Sequence, residues 1–164
     1  MSEPLTFAGI YREYAKYVAG VSARMLGRDD ADVDDVVQEV FWITSRNVER
    51  IHDMAAARPW LLTVTVRVVR SKLRRRRWRS FFHLDTTTEH VSAPGCSPSE
   101  RALLGELYRA LAKLPDDERI AWTLRHVEGE RLQEVADACN IILATAKRKI
   151  AAAEEVLDEV LRDA

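Results

Sequence analysis

The stretch LLTVTVRVVRSKLRRRRWRSFF, residues 61–82, admits two readings that lead to different folds. Its β-branched opening suits a strand. The spacing favours a helix: Leu62, Val66, Val69 and Leu73 form one stripe, and Arg67, Arg70, Arg74 and Arg77 form another, both at steps of three and four. At about 100° per residue the stripes stand roughly a quarter turn apart. One face of such a helix packs on the domain while its neighbour meets a polyanion. Pro59 suits its first turn, where the missing N–H costs nothing.

Helical spacing continues on both sides. Phe7, Tyr11, Tyr14, Val18, Val21 and Met25 mark an amphipathic helix that Gly27 ends, and Asp29 or Asp30 caps the next. Val33, Val36, Val37, Val40, Phe41 and Thr44 line that second helix, whose other face carries Asp34, Asp35, Gln38, Glu39 and Trp42. Residues 46–58 read as a connection with short helical pieces. Thr, Ser, Pro and Gly then take over in HLDTTTEHVSAPGCSPS, residues 83–99, a linker composition. Beyond it, Leu103, Leu107, Leu111 and Leu114 predict a helix stopped at Pro115, with Asp116 or Asp117 capping a helix that holds Ile120, Leu124 and Val127. Gly129 interrupts; a short helix over Leu132–Ala138, a turn at residues 139–141 and a last helix over 143–161 complete the chain. The expected fold is all-α: two small helical units, 1–82 and 100–164, joined by the linker 83–99, with a helix-turn-helix in the second.

The 164 residues carry a formal net charge of only -1, but the charge is unevenly placed. Residues 1–82 hold 15 Lys/Arg against 10 Asp/Glu, and residues 83–164 hold 10 against 16. Residues 67–79 contain eight basic side chains and no acid, a local potential that attracts polyanions. The N-terminus lacks the basic and apolar regions of a signal peptide, and no apolar run is long enough to span a bilayer, so a cytoplasmic protein without membrane insertion is expected. Cys96 and Cys139 form no CxxC pair. His52, His83, His90 and His126 have no metal-ligand spacing, and there is no glycine-rich phosphate cradle. No enzyme, metal or cofactor is expected.

RLQEVADACNIILATAKRKI, residues 131–150, has the layout of a helix-turn-helix: small Ala136 where helices cross, Asn140 for a left-handed turn, then Thr145, Lys147, Arg148 and Lys149 opening a helix that fits a major groove. Packing as a simple α-hairpin fits that layout equally. Trp60, Trp78, Phe81 and Phe82 bracket the arginine run; stacking on unstacked bases is one use for them, closing the end of the first unit another.

DVDDVVQEVFW at 32–42, RPWL at 58–61, the arginine run, the linker, and ALAKLPDDERIAWTLRHVEGERLQEVADACNI at 110–141 together resemble a two-domain bacterial sigma factor of the extracytoplasmic-function class, over nearly the whole chain. That resemblance implies a transcription-initiation subunit. Asp35, Gln38, Glu39 and Phe41 would dock on the β′ clamp of core RNA polymerase, with the β flap as a further contact. Asn47, Arg50, Trp60, Arg67, Arg70, Arg74, Arg77 and Trp78 would engage and melt the promoter -10 element, with residues 47–57 holding an extruded base. Thr145, Lys147, Arg148 and Lys149 would face the -35 element. An anti-sigma factor is the implied regulatory partner.

The chain departs from that family where the reading helix begins. Asn140, Ile141 and Ile142 stand where Gly-Ile-Ser is usual, and Ile142 offers no hydroxyl to a phosphate. Ala151, Ala152, Ala153, Glu154 and Glu155 follow Ile150 where arginines are common, and Arg67 and Ser71 replace a usual Asn and Asp. A sigma-like adaptor that binds polymerase or a regulatory partner without reading a -35 element is therefore the alternative.

Overall fold

The structure, a computed structural model, describes residues 5–27, 30–82 and 95–162. Within them every regular element is helical, in the order α1 (Phe7–Leu26), α2 (Asp30–Ser45), α3 (Met54–Phe81), α4 (Pro98–Lys113), α5 (Asp116–Trp122), α6 (Leu132–Cys139) and α7 (Leu143–Arg162). The bulk of the expected linker, residues 83–94, lies outside the described residues, as does Asp29.

Local chemistry sets the helix ends. The Thr6 hydroxyl accepts from the Gly9 amide at 3.1 Å to open α1. Gly27 closes it at φ 87°, a value that favours glycine, returning its N–H to the Ala23 carbonyl. A single 3-10 turn at Val48–Arg50 links α2 to α3. The start of α3 corrects the expectation built on Pro59: Asp53 is the cap, its carboxylate accepting from the Ala56 amide at 2.7 Å, and the helix begins at Met54. Pro59 thus lies about one turn further in than expected.

The segment that could have been a strand is the interior of this 28-residue helix. Leu61, Leu62, Val64, Thr65, Val66, Val68, Val69 and Leu73 are all buried, covering an arc of roughly 200° at about 100° per residue. A helix buried so widely shows a blurred amphipathic pattern. The cause is position: α1 and α2 pack on one side of α3, and α5 and α6 on the other.

In the second unit Ser97 and Glu100 form a capping box, so α4 starts at Pro98, two residues before the expected boundary. Asp116 and Asp117 do not cap α5; Pro115 holds that position, and the two acids sit in the first turn, where the helix dipole favours negative charge. A π-helical turn, Thr123–Val127, follows α5 directly. Asn140 adopts φ 54° and ψ 48°, and the Ile141 amide bonds back to the Ala136 carbonyl at 3.0 Å. With Ala136 fully buried, α6, this turn and α7 make the expected helix-turn-helix.

One hydrophobic cluster crosses from the first expected unit into the second. It runs from Ile10, Val21, Val36 and Leu61 through Ile120, Leu124, Val135, Ala146 and Ile150. A smaller cluster of Ala110, Leu111, Leu114, Ala153 and Leu157 holds α4 beneath α7.

The left-handed turn gives the first testable consequence. Asn140→Gly keeps the turn, whereas Asn140→Val places a β-branched side chain at positive φ and costs about 1–2 kcal/mol. Urea unfolding of the two variants should separate them by that amount.

Candidate nucleic-acid and protein interface

On α2, Asp34, Asp35, Gln38 and Glu39 project into solvent along one face. Trp42 extends that face at 60% exposure, with the Arg46 guanidinium 4.8 Å above its ring. Phe41, expected among the contact residues, is instead buried: its ring meets Tyr11 edge-on at 4.8 Å, beneath the acidic face rather than on it. Lys72 of α3 reaches across to Asp35 at 3.0 Å and to Asp32 at 3.5 Å. Burial alone would push the Asp32 carboxyl up, but hydrogen bonds and charge from Arg76 and Lys72 outweigh it and hold Asp32 below the usual carboxylate range.

The arginine run is four side chains with different tasks, because successive residues on a helix point about 100° apart. Arg76 turns to α2, pairing with Asp32 and donating to the Leu26 carbonyl at 3.0 Å. Arg77 turns to the second unit and pairs with Asp116. Arg74 and Arg75 are exposed.

The expected stripe is correspondingly divided. Arg67 is exposed. Arg70 donates through Nε to Asp117 at 2.8 Å and through Nη2 to the Cys139 carbonyl at 3.3 Å. Arg70, Arg74 and Arg77 line a cleft of about 260 Å³ with Pro115, Asp116, Asp117 and Lys149. The Lys149 Nζ lies 3.6 Å from Asp117. The cationic stripe on α3 and one residue of α7 therefore share a single cleft.

The other expected site residues are spread out. Asn47 donates from its amide to the Ile43 carbonyl at 2.8 Å, which fixes the turn after α2, and Arg50 is exposed. Trp60 is half-buried against the core of the first unit. Trp78 stacks on Phe82 with ring centres 6.1 Å apart, and Phe81 meets Phe82 edge-on; all three are more than half exposed at the end of α3. On α7, Lys147 and Arg148 are exposed, and Arg148 donates to the Thr145 hydroxyl at 3.1 Å. Ile142 is 70% exposed at its start. Glu154 binds His126 at 2.8 Å, while Glu155, Asp158 and Glu159 face solvent.

Two groups went unnoticed in the sequence. Arg24 of α1 makes a two-pronged contact with Glu128, one bond at 3.0 Å. Arg58 of α3 does the same with Glu130 at 2.5 and 3.4 Å, and its guanidinium lies 4.9 Å over the Tyr17 ring. Glu130 is 3% exposed. Burial, partly offset by Arg58, pushes the Tyr17 phenol up to about 12. The acids of the Glu128-Gly129-Glu130 turn were the available signal, but spacing could not say which arginines they meet. No group of His, Cys, Asp or Glu among the described residues is arranged to hold a metal ion, and no helix among them is long and apolar enough to cross a membrane.

Comparison with known proteins agrees with this layout. Residues 10–79 match the Sigma-70 region 2 family and residues 104–157 match Sigma-70, region 4. The chain is 30% identical to the RNA polymerase sigma factor CarQ of Myxococcus xanthus over 94% of this chain and 88% of that one. It is also 30% identical to the probable RNA polymerase sigma factor RfaY of Xanthomonas campestris pv. campestris, spanning 97% of this chain but 43% of that longer protein. Among solved structures, the sigma factor RpoE from Bartonella quintana, determined with the anti-sigma factor NepR, superposes with a TM-score of 0.73 at 19% identity, covering 95% of this chain and 96% of that one. CnrH, in complex with the cytosolic domain of CnrY, gives 0.65 at 20% identity over 96% and 88%.

The buried carboxylate supplies a stability test. Arg58→Ala leaves Glu130 charged without its partner and should cost about 3 kcal/mol in urea unfolding, whereas exposed Arg67→Ala should stay within about 0.5 kcal/mol. Tyr17 sets a pH dependence whose sign follows from its raised value: the folded chain keeps the phenolic proton longer than the unfolded one. Its contribution is complete below about pH 10 and is lost as pH climbs to about 12. Ultraviolet titration should show one tyrosine ionising only at that upper end.

Proposed function

The chain belongs to the extracytoplasmic-function class of the sigma-70 family of RNA polymerase sigma factors, and on that premise we propose how its parts share promoter recognition and initiation. The observation that carries the reading is the first unit's pair of faces. An exposed acidic face on α2 and a cationic stripe on α3 are held in fixed register by α1 and by the Lys72 and Arg76 bridges to Asp35 and Asp32.

Asp35, Gln38 and Glu39 take the β′ clamp of core polymerase, and Phe41 holds their helix in place from beneath. Lys72 already touches Asp35, so docking competes with that contact. Arg67, Arg70, Arg74 and Arg77 supply phosphate attraction that positions duplex without specifying sequence. The turn from Asn47 through Arg50 to residue 57 lies where an extruded -10 base is read. Trp78, with Phe81 and Phe82, offers stacking surface to unpaired bases beside exposed Arg74, Arg75 and Arg79. Thr145, Lys147, Arg148 and Lys149 face the -35 element, and the second unit takes the β flap. Phosphodiester chemistry stays with the polymerase, and the site of action is the cytoplasm. The two solved structural relatives are each held by a second protein, in one case named an anti-sigma factor. A protein of that kind is the proposed regulator here.

One observation favours a narrower reading for the second unit. Ile142 is exposed at the start of α7, and Glu155, Asp158 and Glu159 face solvent along it, an arrangement that repels a phosphate backbone near its far end. In that reading the second unit holds a protein and leaves -35 DNA unread.

Run-off transcription with core polymerase on a promoter library tests the proposal. The chain should yield promoter-dependent transcripts, and Asp35→Lys with Glu39→Lys should abolish them together with polymerase binding. No promoter-dependent transcript despite tight polymerase binding would overturn the initiating role. Footprints that lack upstream protection centred on -35 would select the narrower reading.

A further inference from the structure

We propose that the opening turn of α7 reads the major groove with hydrocarbon: Ile142, Leu143 and Ala144 meet the methyl groups of thymines, so that methyl contacts rather than hydrogen bonds specify the upstream element. The inference deepens the sigma reading above and rests on α6 and α7 acting as a DNA-reading helix-turn-helix.

In a helix-turn-helix the first residues of the second helix reach the base edges. Here Ile142 stands at the head of α7, its carbonyl accepting from the Thr145 and Ala146 amides, each at 3.0 Å. Ile142 is 70% and Leu143 37% exposed, and Ala144 is exposed beside them. None of these three side chains carries a donor or an acceptor. Thr145, the first polar residue of the helix, is half-buried, and its hydroxyl already accepts from Arg148. Ala146, Ile150, Ala153 and Leu157 turn the other side of the helix into the core.

A turn of this composition cannot pair with the nitrogen and oxygen atoms by which most base edges are told apart. The major-groove edge of thymine also presents a methyl group, and that is the feature apolar side chains favour. Taking one methyl group out of water is worth roughly fourfold in affinity. Charge on the same helix favours duplex over a protein partner. Leu143 precedes Lys147, and Ala144 precedes Arg148, by four residues, so an exposed cation follows each along one side, placed for the phosphates that border the groove. Glu155 stands about 16 Å from Ala144 along the axis at roughly 1.5 Å per residue. That is beyond a groove about 12 Å wide and about twice the screening length at physiological salt, so the acidic far end does not oppose the first turn.

Replacing thymine by uracil removes that methyl group and leaves every hydrogen-bonding atom of the base pair in place. Fluorescence anisotropy at low salt, with the full chain, compares an alternating duplex of adenine and thymine with its adenine and uracil counterpart. The parent chain should bind the thymine duplex about fivefold tighter or more. Ile142→Ser with Leu143→Ser should bring the two affinities within about twofold. Both side chains are exposed and serine suits a helix cap, so this variant keeps the fold. Lys147→Ala with Arg148→Ala should weaken binding to both duplexes while keeping most of their ratio. A parent chain that binds both duplexes alike, or neither, overturns the proposal and leaves the apolar turn to a protein contact; a serine variant that still prefers thymine overturns it too. Neither polymerase nor promoter enters this experiment, so a methyl-blind chain that still directs run-off transcription sinks this inference alone.

Discussion

The structure depends on α3 being buried on two sides while carrying the densest positive charge in the chain. Of the eight cations between residues 67 and 79, Arg67, Arg74, Arg75 and Arg79 are exposed to solvent, while Arg70, Lys72, Arg76 and Arg77 lie along the packed flanks and meet counter-charges there. Asp32 and Asp35 of α2 supply them on one flank, Asp116 and Asp117 of α5 on the other. Each pair is partly exposed and individually worth no more than about 1 kcal/mol. Their consequence lies in orientation: they decide which arginines face protein and which remain for a polyanion. The strongest local constraint is Arg58 with buried Glu130, where loss of the arginine strands a charge.

Most of the fold was legible in the sequence because helical stripes and helix punctuation carry it. Gly27, Pro115, Gly129 and Asn140 end or redirect helices where expected, since positive φ or a missing N–H leaves few alternatives. The start of α3 was misplaced because Pro59 drew attention from Asp53, an equally good cap signal six residues earlier. The cluster shared by the two units left little trace in the sequence. An apolar arc that wraps most of a helix loses its phase, and LLTVTVRVV looked strand-like for that reason.

The candidate site was legible in type but not in allocation. Spacing identified a cationic stripe and an acidic face; it could not show that Arg76 belongs to α2, that Arg77 and Arg70 belong to α5, or that Phe41 supports its face from below. Partners at a sequence distance of 39 to 104 residues have no local signature, as the bonds from Arg77 to Asp116 and from Arg24 to Glu128 illustrate. The family resemblance supplied roles for these residues but said nothing about their use within the free chain. The unusual start of α7 is where resemblance and local chemistry part, because Ile142 presents a side chain that offers a phosphate no hydrogen bond.

The central claim is that carboxylates of α2 and α5 orient the arginines of α3 and hold that helix between the two units. A distance between spin labels tests it most directly, with Arg75→Cys on α3 and Glu155→Cys on α7 in a chain carrying Cys96→Ser and Cys139→Ala. The account predicts one narrow distribution in the free chain, because α3 is packed against both units. A broad distribution in the free chain would contradict it.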